Sequence, residues 1–564
     1  MMTARTDSSI TVIKNGTVVD GTGAPRRVAD VALQSDRIVD VGTNLRGDRS
    51  IDASGRIVAP GFIDIHTHYD AQVFWDPALT PSCYHGVTTV VAGNCGFSIA
   101  PTHPEHRELI ARTMEKVEDM NPATLNAGIP WEFESFGEYM NSVRERGTML
   151  NYTAYIGHTP LRLFAMGEGA VGRTATHDEI ERMAGMIRDA MAAGAAGFST
   201  SFAITHRGAD GQPIPSRWAG RDEIDALCRA VGDSGRGVVG VNGGENLSFA
   251  DLYELQPRCG VPFTFTALLT TPQGFHLRGI ETHKAGRARG ADVWPQVSCR
   301  PLSFSMNMIE PFTLNTNPVF AELMPKSFEE RRRAYADPQW RQRVVDAWAA
   351  GQGINPQWSS VEITEAPHSP AAVGHRVSEL AQQSNRHPFD VLLSLALAEP
   401  DLQLRFQSLI ANDDAEGVAL LLNTEGCTLG LSDAGAHVGQ ICDAVMPSDL
   451  LGTWVRDKGV LTLEQAVHKL TQVQADLFRF TDRGVLRAGA YADVVVFDAA
   501  SIAPGPTRRV RDFPANGERL TADQPTGIHQ VIVNGRTVVE EGKLDEQAVA
   551  DRPGVWVAPS QRIA

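Results

Sequence analysis

The chain has 564 residues, of which 42% are hydrophobic and 21% charged, and its formal net charge is −16. That length suits more than one ordinary domain and a large buried core. The acidic balance provides no basic surface for nucleic acid, and no run approaches the ~18 apolar residues of a membrane-spanning helix. The first residues lack the apolar segment of a signal peptide, and seven scattered cysteines suit a reducing compartment. We therefore expect a soluble cytoplasmic protein without nucleic-acid or membrane partners.

Short strands are predicted at both ends of the chain. Residues 10–60 contain runs of alternating hydrophobicity such as TVIKNGTVVDG and ADVALQSDRIVDVG, separated by Asn-Gly and Asp-Gly, which are typical of hairpins. The C-terminal runs ADVVVFDAAS and HQVIVNGRTVVEEGKL follow the same pattern. The two sets form either two separate small sheets or one β-sandwich built from both termini, with the middle of the chain inserted.

Eight short apolar runs lie between these ends, and most of them lead into a helical or turn segment. Helical patterns such as HDEIERMAGMIRDAMAAG separate several of them. Eight βα units in order predict an α/β fold, a (β/α)8 TIM barrel, in which the chemistry takes place at the C-terminal ends of the strands. The eight runs are 61–68, 87–95, 151–158, 195–201, 236–244, 261–269, 291–299 and 427–435.

The interval between the seventh and eighth runs, about residues 301–425, is far too long for a βα connection. A long segment over an active face is usually a lid or a binding loop. The alternative is an independent stabilising subdomain away from the site. The predicted organisation is a first sandwich part at 1–60, a barrel at 61–482 that contains the lid, and a second sandwich part with the C-terminal tail at 483–564.

Two histidines end the first predicted strand, in the segment GFIDIHTHYD. Residues i and i+2 of a strand lie on the same face, so His66 and His68 can contact one object. Neutral imidazole is a preferred ligand of Zn²⁺, and two adjacent ligands on one face form one edge of its coordination shell. Isolated histidines are usually structural, but this pair at a strand end indicates a metal site.

An aspartate and a cysteine end two other predicted strands. Asp433, in LGLSDAGAH, ends the eighth run, which neighbours the first run in a barrel and so brings the carboxylate beside His66 and His68. Its alternative role is that of an N-cap or turn residue. Cys95, in VVAGNCGFS, ends the second run on the other side of the histidines. A lone cysteine is more often a buried apolar group, but beside a metal we favour ligation by its thiolate.

The segments GFIDIHTHYD, HGVTTVVAGNCGFSIAP, LGLSDAGAH and TDRGVLRAGAYADVVVFDAASI resemble the amidohydrolase superfamily, and in particular its D-aminoacylase (N-acyl-D-amino-acid deacylase) branch. The similarity covers nearly the whole chain. Its specific marker is the cysteine after strand two, while the lysine that other branches place on strand four is absent from AGFSTSF. The resemblance implies a metal-dependent barrel, a small β-sandwich domain formed by both termini, and a long insertion after strand seven.

The resemblance also assigns roles by position. It makes His66, His68, Cys95 and Asp433 metal ligands, with Asp433 also the general base and acid that moves the proton. The implied activity is hydrolysis of a non-peptide amide bond in a small molecule, by attack of a metal-activated water. One alternative is the same scaffold acting on another bond, such as a cyclic amide, an ester, or a carbon–carbon or dehydration substrate. Another is a non-catalytic binding protein without metal, and in each case a homo-oligomer is left open.

Three departures from the family pattern bear on the metal count and the substrate. The family's histidines on strands five and six have no match, because GVVGVNGGEN offers only Asn242 or Glu245, as ligands or substrate contacts, and FTFTALLTTP offers none. His283, in ETHKAG, lies too close to strand seven to belong to the site. The family's arginine for the substrate carboxylate is missing from AHVGQICDAVMPSDLL, which weakens N-acyl-D-amino acids as substrates. We expect one tightly bound Zn²⁺, with a second ion or another divalent metal left open.

Four further polar residues are candidates at the predicted mouth. His158 either polarises a substrate carbonyl as a catalytic residue or holds the strand-three loop. Arg300 either binds an anionic group of the substrate or pairs with the acidic lid. His437 contacts either the substrate or a metal ligand, and His206, in the long strand-four loop, has either a structural or a site role.

Overall fold

The computed structural model describes residues 9–208, 211–309 and 311–561. Its strands in chain order are β1 Ile10–Val18, β2 Arg27–Gln34, β3 Arg37–Gly42, β4 Arg49–Asp52, β5 Ile57–Pro60, β6 Phe62–Asp64, β7 Val87–Ala92, β8 Asn151–Gly157, β9 Gly197–Ser201, β10 Val238–Asn242, β11 Phe263–Thr266, β12 Val293–Val297, β13 Leu302–Met306, β14 Glu362–Glu365, β15 Arg405–Ala411, β16 Thr428–Leu429, β17 Val494–Phe497, β18 Arg508–Phe513, β19 Gly517–Thr521, β20 Ile528–Val533, β21 Arg536–Glu540 and β22 Lys543–Leu544.

The α-helices lie mainly between the strands of the central region and in the insertion. In chain order they are α1 Arg107–Glu118, α2 Pro122–Gly128, α3 Phe136–Arg146, α4 His158–Met166, α5 His177–Ala193, α6 Arg221–Asp233, α7 Phe249–Cys259, α8 Phe275–Ala288, α9 Pro318–Leu323, α10 Phe328–Ala336, α11 Pro338–Ala349, α12 Val377–Ser384, α13 Pro388–Ala398, α14 Ala415–Asn423, α15 Met446–Asp449, α16 Leu463–Leu470, α17 Gln472–Phe478 and α18 Glu546–Asp551. No helix in the described ranges is long and apolar enough to cross a membrane.

Strands from both termini form one sheet. Its order is β22-β21-β20-β17-β5-β1-β2-β3, with β4 paired to β1. The two halves of the chain meet where β5 runs antiparallel to β17, with Pro60 opposite Val494 and Ile57 opposite Phe497. Buried valine, isoleucine and alanine side chains from both halves share a core there. The predicted pairing of the termini is therefore present, whereas the two-layered sandwich stays a prediction.

The eight predicted apolar runs each contain one strand of a second sheet. That sheet is parallel, in the order β16-β12-β11-β10-β9-β8-β7-β6. It curls, because a parallel bridge joins Thr67, just after β6, to Ala434, just after β16. The backbone NH of His68 also donates to the Ala434 carbonyl, at 2.7 Å. The first and eighth strands are thus neighbours in a TIM-type barrel, and their C-terminal ends meet.

The helices around this sheet follow from local sequence signals, as α5 illustrates. Thr176 and Glu179 form a capping box at its start, and Gly194 ends it with a φ of 107°, which favours glycine. Its buried side chains, such as Ile180 and Ile187, recur with helical spacing and face the barrel. Amphipathic helices of this kind cover the outside of the barrel and leave its C-terminal edge to the loops.

The insertion has a sheet and a core of its own. Strands β13, β15 and β14 form an antiparallel sheet, and helices α9 to α13 pack aromatic side chains such as Phe320, Trp340 and Phe389 into a separate apolar cluster. Phe304 and Phe312 of the insertion also contact the ring of His437 in the loop after β16, with ring centroids 5.2 and 5.1 Å apart. The insertion therefore reaches the C-terminal side of the barrel, and its role as a lid and the domain boundaries stay predictions.

Candidate metal centre

The two strand-one histidines lie just beyond the end of β6. Both are buried, and alternation along the extended chain directs both rings to one side, with centroids 5.4 Å apart. The backbone NH of His66 donates to Asp64 Oδ1 at 3.2 Å. The Ser432 hydroxyl donates to the His66 carbonyl at 2.8 Å. The first and last barrel strands together fix the backbone that carries the pair.

Asp433 completes this group from the other side of the barrel closure. Its Oδ1 atom lies 3.1 Å from His66 Nε2 and 3.7 Å from His68 Nε2. The residue has a φ of 46°, in the left-handed region that aspartate tolerates better than most side chains. Non-glycine residues in this region are often part of functional sites, where the surrounding structure holds them.

Cys95 adds a sulfur atom to the cluster. Its Sγ atom is 3.6 Å from His66 Nε2, and one ligand atom each of His66, His68 and Cys95 lie within 4.8 Å of one another. Cys95 has a φ of 55° and sits in a tight turn at the end of the second barrel strand. Cys95 therefore lies beside the two histidines, and ligation of a metal by its thiolate stays a prediction.

The turn that carries Cys95 is fixed by its neighbours. The Asn94 side-chain amide donates to the carbonyls of Val91, Ile65 and Thr67, at 2.9, 3.2 and 3.2 Å. Ile65 and Thr67 flank His66, so one side chain ties the cysteine turn to the histidine strand. On the other side, Ser199 Oγ accepts from the Gly96 NH at 3.0 Å.

The outward-facing nitrogens of both histidines have polar partners. His66 Nδ1 lies 2.7 Å from Gln296 Oε1 and 3.1 Å from Thr266 Oγ1. His68 Nδ1 lies 3.3 Å from Glu118 Oε1. Such partners fix the tautomer that leaves Nε2 free to bind a metal, and they raise the basicity of the ligand.

Sequence reasoning missed these three partners. Gln296 is a polar residue in an otherwise apolar strand, and that position was a usable signal. Glu118 ends helix α1, in a segment rich in charged residues, and nothing in its local pattern sets it apart. Thr266 ends β11, the position at which the family resemblance predicts a strand-six ligand.

The charges in the cluster stabilise one another. Burial by itself lowers the pKa of His66, yet the negative charges of Cys95 and Asp433 raise it to about 10. The pKa of His68 is likewise raised, against burial, by Glu118 and Asp433. In the other direction, the two histidines hold the pKa values of Asp433 and Cys95 below their usual ranges, although burial opposes both shifts. The Asp433 carboxylate and the Cys95 thiolate are therefore stabilised by positive charge on the histidines, and a bound cation would supply the same stabilisation.

The donor set fits a divalent metal ion. Ligands placed tetrahedrally about 2.0–2.3 Å from zinc lie about 3.3–3.8 Å from one another. Three pairs of candidate ligands lie close to that range: His66 and Asp433 at 3.1 Å, His66 and Cys95 at 3.6 Å, and His68 and Asp433 at 3.7 Å. Two imidazoles, a thiolate and a carboxylate are also ligand types that Zn²⁺ accepts.

Donors for a second ion are poor at the ends of strands five and six. Asn242 Nδ2 donates to Cys95 Sγ at 3.7 Å, so this residue does contact the cluster, but through an amide. The Thr266 hydroxyl is engaged with His66 and Gln296. Glu245 does not join the cluster as a ligand, because its side chain is 77% exposed and lies 4.0 Å from Arg217. A short polar loop that turns outward after β10 explains the difference.

His158 and Arg300 are both engaged in local ion pairs or hydrogen bonds. His158 Nδ1 lies 2.8 Å from Thr200 Oγ1 and its Nε2 lies 2.9 Å from Glu223 Oε1, with the side chain wholly buried. This placement favours the structural alternative for His158 over the catalytic one. Arg300 lies 2.7 Å from Asp443 and 3.2 Å from Asp449. It is therefore paired with carboxylates, as the second alternative predicts, but both partners follow strand eight and neither belongs to the lid.

Three other histidines singled out in the sequence, His437, His206 and His283, lie in different parts of the barrel. His437 lies against the insertion, and its buried Nδ1 has no hydrogen-bond partner among the described residues. His206 Nδ1 lies 2.7 Å from Ser201 Oγ, and its ring is 5.3 Å from that of Phe97, two residues beyond Cys95. Burial and the positive charges of His437 and His68 lower the pKa of His206 to about 3, so its ring is neutral. His283 lies on helix α8, outside the cluster, as its spacing from strand seven predicts. Its ring contacts the Tyr253 hydroxyl and the Glu425 carbonyl.

A curled barrel of eight parallel strands with two histidines, a cysteine and an aspartate at one edge has the architecture of a metal-dependent hydrolase. A model of the amidohydrolase family matches residues 49–539, and the chain belongs to that family.

Comparison with individual proteins identifies the branch of the family to which the chain belongs. D-aminoacylase of Alcaligenes xylosoxydans xylosoxydans is 29% identical over 544 residues, which cover 94% of each chain. A solved structure of D-aminoacylase, described as having a binuclear metal center, matches with a TM-score of 0.67 and 26% identity over 97% of this chain and 99% of its own. N-acyl-D-glutamate deacylase from Bordetella bronchiseptica, solved with zinc and a phosphonate inhibitor, matches with a TM-score of 0.68, 26% identity and the same coverage. The chain thus lies in the D-aminoacylase branch and is a hydrolase of carbon–nitrogen bonds other than peptide bonds.

Proposed function

We propose that the protein hydrolyses the acyl–nitrogen bond of a small N-acylated amino acid, in the manner of an N-acyl-D-amino-acid deacylase, with a divalent ion held by His66, His68, Cys95 and Asp433. The observation that carries the proposal is that His66, His68 and Cys95 converge at the C-terminal edge of the barrel, where the Asp433 carboxylate contacts both histidines. Zinc is the favoured ion because of the imidazole and thiolate donors. When bound, the ion supplies Lewis acidity and a water of lowered pKa.

Asp433 is the residue placed to move the proton. Its carboxylate is ionised at neutral pH, because the neighbouring histidines hold its pKa well below the usual range despite burial. It therefore accepts the proton of the attacking water and then delivers it to the leaving nitrogen. His66 and His68 cannot take this part, since their Nε2 atoms would bind the ion and their Nδ1 atoms lie against Gln296 and Glu118.

The surroundings support a reaction sheltered from bulk water. The side chains of His66, His68 and Asp433 are at most 10% exposed. Phe304 and Phe312 of the insertion contact His437, only four residues beyond Asp433, and so form an apolar cover on this side. Exclusion of water strengthens the interaction of charged groups with the reacting atoms.

The names of the matching relatives supply the substrate class, whereas one observation favours a second candidate. Arg300, which the sequence marks as an anion-binding residue, is occupied by Asp443 and Asp449. A cyclic amide or an ester, which carries no free carboxylate, would need no such arginine. Hydrolysis of such a bond by the same four residues is therefore the alternative function.

The test is a chromatographic screen of the zinc-loaded protein against N-acyl-D-amino acids, N-acyl-L-amino acids, cyclic imides and esters. We expect turnover of N-acyl-D-amino acids, and loss of most of it in Asp433→Asn with retained fold, since an amide cannot accept the proton. Turnover confined to imides or esters would select the alternative. No turnover of any compound, together with no metal bound after purification, would favour a binding protein.

A further inference from the structure

Arg217 lies on the loop between β9 and α6, at the C-terminal end of the fourth barrel strand. A short 3-10 turn, Pro215–Trp218, carries it, and the hydroxyl of Ser216 within that turn donates to the Ser201 carbonyl at 2.7 Å. The turn is thereby fixed to the end of the strand.

The guanidinium of Arg217 is largely buried and poorly paired. Its side chain is 12% exposed, and the nearest carboxylate, that of Glu245, is 4.0 Å away on a side chain that is itself 77% exposed. Its hydrogen bonds to the carbonyls of Ile204 and His206 are both 3.4 Å long, at the limit of such contacts. Arg300 differs sharply, with two carboxylates at 2.7 and 3.2 Å.

Such an arginine is costly without an anionic ligand. A buried charge needs a close counter-charge or several good hydrogen bonds to offset its desolvation. Burial and the positive charge of Arg207 in fact lower the pKa of Arg217, and Glu245 does not compensate. A guanidinium also matches the planar, two-oxygen geometry of a carboxylate.

The cavity next to Arg217 is connected to the metal centre through contacts of Phe202 and Asn242. The cavity, of about 190 Å³, lies between the loops after the fourth and fifth strands and is lined by Phe202, Pro213, Arg217, Trp218, Glu245 and Asn246. The Phe202 NH donates to the carbonyl of Asn242, whose side chain contacts Cys95 Sγ. On the other flank, Arg217 contacts the backbone of His206, a residue whose ring experiences the charges of both Asp433 and Arg217.

We propose that Arg217 binds a carboxylate of the substrate, in the cavity between the strand-four and strand-five loops, and so determines the preference of this enzyme for acidic N-acyl compounds. The inference rests on the proposed amide hydrolysis and names its substrate class. The carboxylate is either the α-carboxylate of the amino acid or one on its side chain. Phe202 and Trp218 give the same cavity an apolar wall for the rest of the molecule.

The experiment compares the zinc-loaded wild type with Arg217→Met and Arg217→Lys. Arg221→Met is the matched control, because Arg221 lies four residues further on, is 57% exposed and pairs with Asp251 at 2.7 Å. The substrates are N-acetyl-D-leucine, N-acetyl-D-glutamate and N-acetyl-D-leucinamide, which carry one, two and no carboxylates. Calorimetric binding of the same compounds to each protein provides a readout that does not require turnover, and circular dichroism checks the fold.

We expect Arg217→Met to raise the KM and Kd of a carboxylate substrate about 10- to 100-fold, with kcat little changed. The leucinamide should keep its constants within about twofold, Arg217→Lys should lie between, and the control should match the wild type. Loss confined to N-acetyl-D-glutamate assigns the contact to the side-chain carboxylate, and an equal loss for N-acetyl-D-leucine assigns it to the α-carboxylate. Unchanged preference for acids in Arg217→Met overturns the inference. Binding of acids through Arg217 without hydrolysis overturns the proposed function alone.

Discussion

His68 Nδ1 lies 3.3 Å from Oε1 of Glu118, a buried carboxylate at the end of helix α1. This pair holds the ring with Nε2 toward Asp433 and makes the imidazole a stronger ligand. We expect Glu118→Gln to weaken metal binding about 10- to 100-fold. Competition with a chromophoric chelator measures the change. Glu108→Gln, an exposed position on the same helix, is the control, and an unchanged affinity in Glu118→Gln would rule out the supporting role.

Cys95 is expected to bind the metal through its thiolate. Cobalt(II) in place of zinc should then give intense sulfur-to-metal charge-transfer absorption, which a hydroxyl ligand does not produce. Cys95→Ser should lose this absorption and bind cobalt more weakly while keeping its fold, because the hydroxyl is a poorer ligand. Cys442→Ser, a partly buried cysteine elsewhere, should keep the band. An unaltered spectrum in Cys95→Ser would remove the sulfur from the ligand set.

Asn94 is expected to position the cysteine turn. Replacement by alanine leaves the carbonyls of Ile65, Thr67 and Val91 without this donor. A loss of about 1–3 kcal/mol in the free energy of unfolding follows from an unsatisfied buried group. Metal affinity should fall as well, since the turn and the histidine strand are no longer joined. Denaturation measures the stability of Asn94→Ala, and chelator competition measures its metal affinity. Asn126→Ala, at an exposed position, is the control. A loss of stability with unchanged metal affinity would limit Asn94 to a structural role.

His85 gives the protein a defined dependence of stability on pH. The ring is buried between the Ser448 hydroxyl and the Ala522 carbonyl, and burial lowers its pKa to about 4. The unfolded chain protonates a histidine near pH 6.5, so between about pH 6.5 and 4 the unfolded state binds more protons. Stability therefore falls as the pH drops through this window, by an amount on the order of 3 kcal/mol.

The comparison that isolates His85 is a calorimetric series on the wild type and His85→Gln at the same scan rate. Other groups, including the metal ligands, titrate in both proteins and cancel in the difference. We expect His85→Gln to be less stable at pH 7 and to lose less stability on acidification. Parallel pH profiles would mean that His85 is not held neutral in the folded state.

The sequence predicts those parts of this fold that depend on short-range patterns. The eight apolar runs are visible because buried parallel strands are nearly continuously hydrophobic. His66, His68, Cys95 and Asp433 stand at strand ends, so the barrel topology alone brings them together. A prediction of that kind needs only the order of the strands.

Residues whose role depends on loop paths could not be predicted in this way. Glu118 reaches His68 from a helix in the long loop after strand two. Glu245, three residues after the end of strand five, turns away from the metal centre, whereas Asn242 at the strand end contacts Cys95. His158 ends strand three, but Glu223 and Thr200 hold its ring in the interior. Side-chain direction in each of these cases is set by tertiary partners and not by position along a strand.

Zinc titration of chelator-treated protein, with bound metal and amide hydrolysis followed together, tests the metal centre most directly. Asn242 and Thr266 offer only an amide and a hydroxyl for a second ion, so we predict that activity of the wild type rises to a plateau at about one tightly bound zinc per chain. His66→Ala should bind no zinc tightly and stay inactive while folded. Full activity of the metal-free protein, or wild-type zinc binding by His66→Ala, would contradict the assignment.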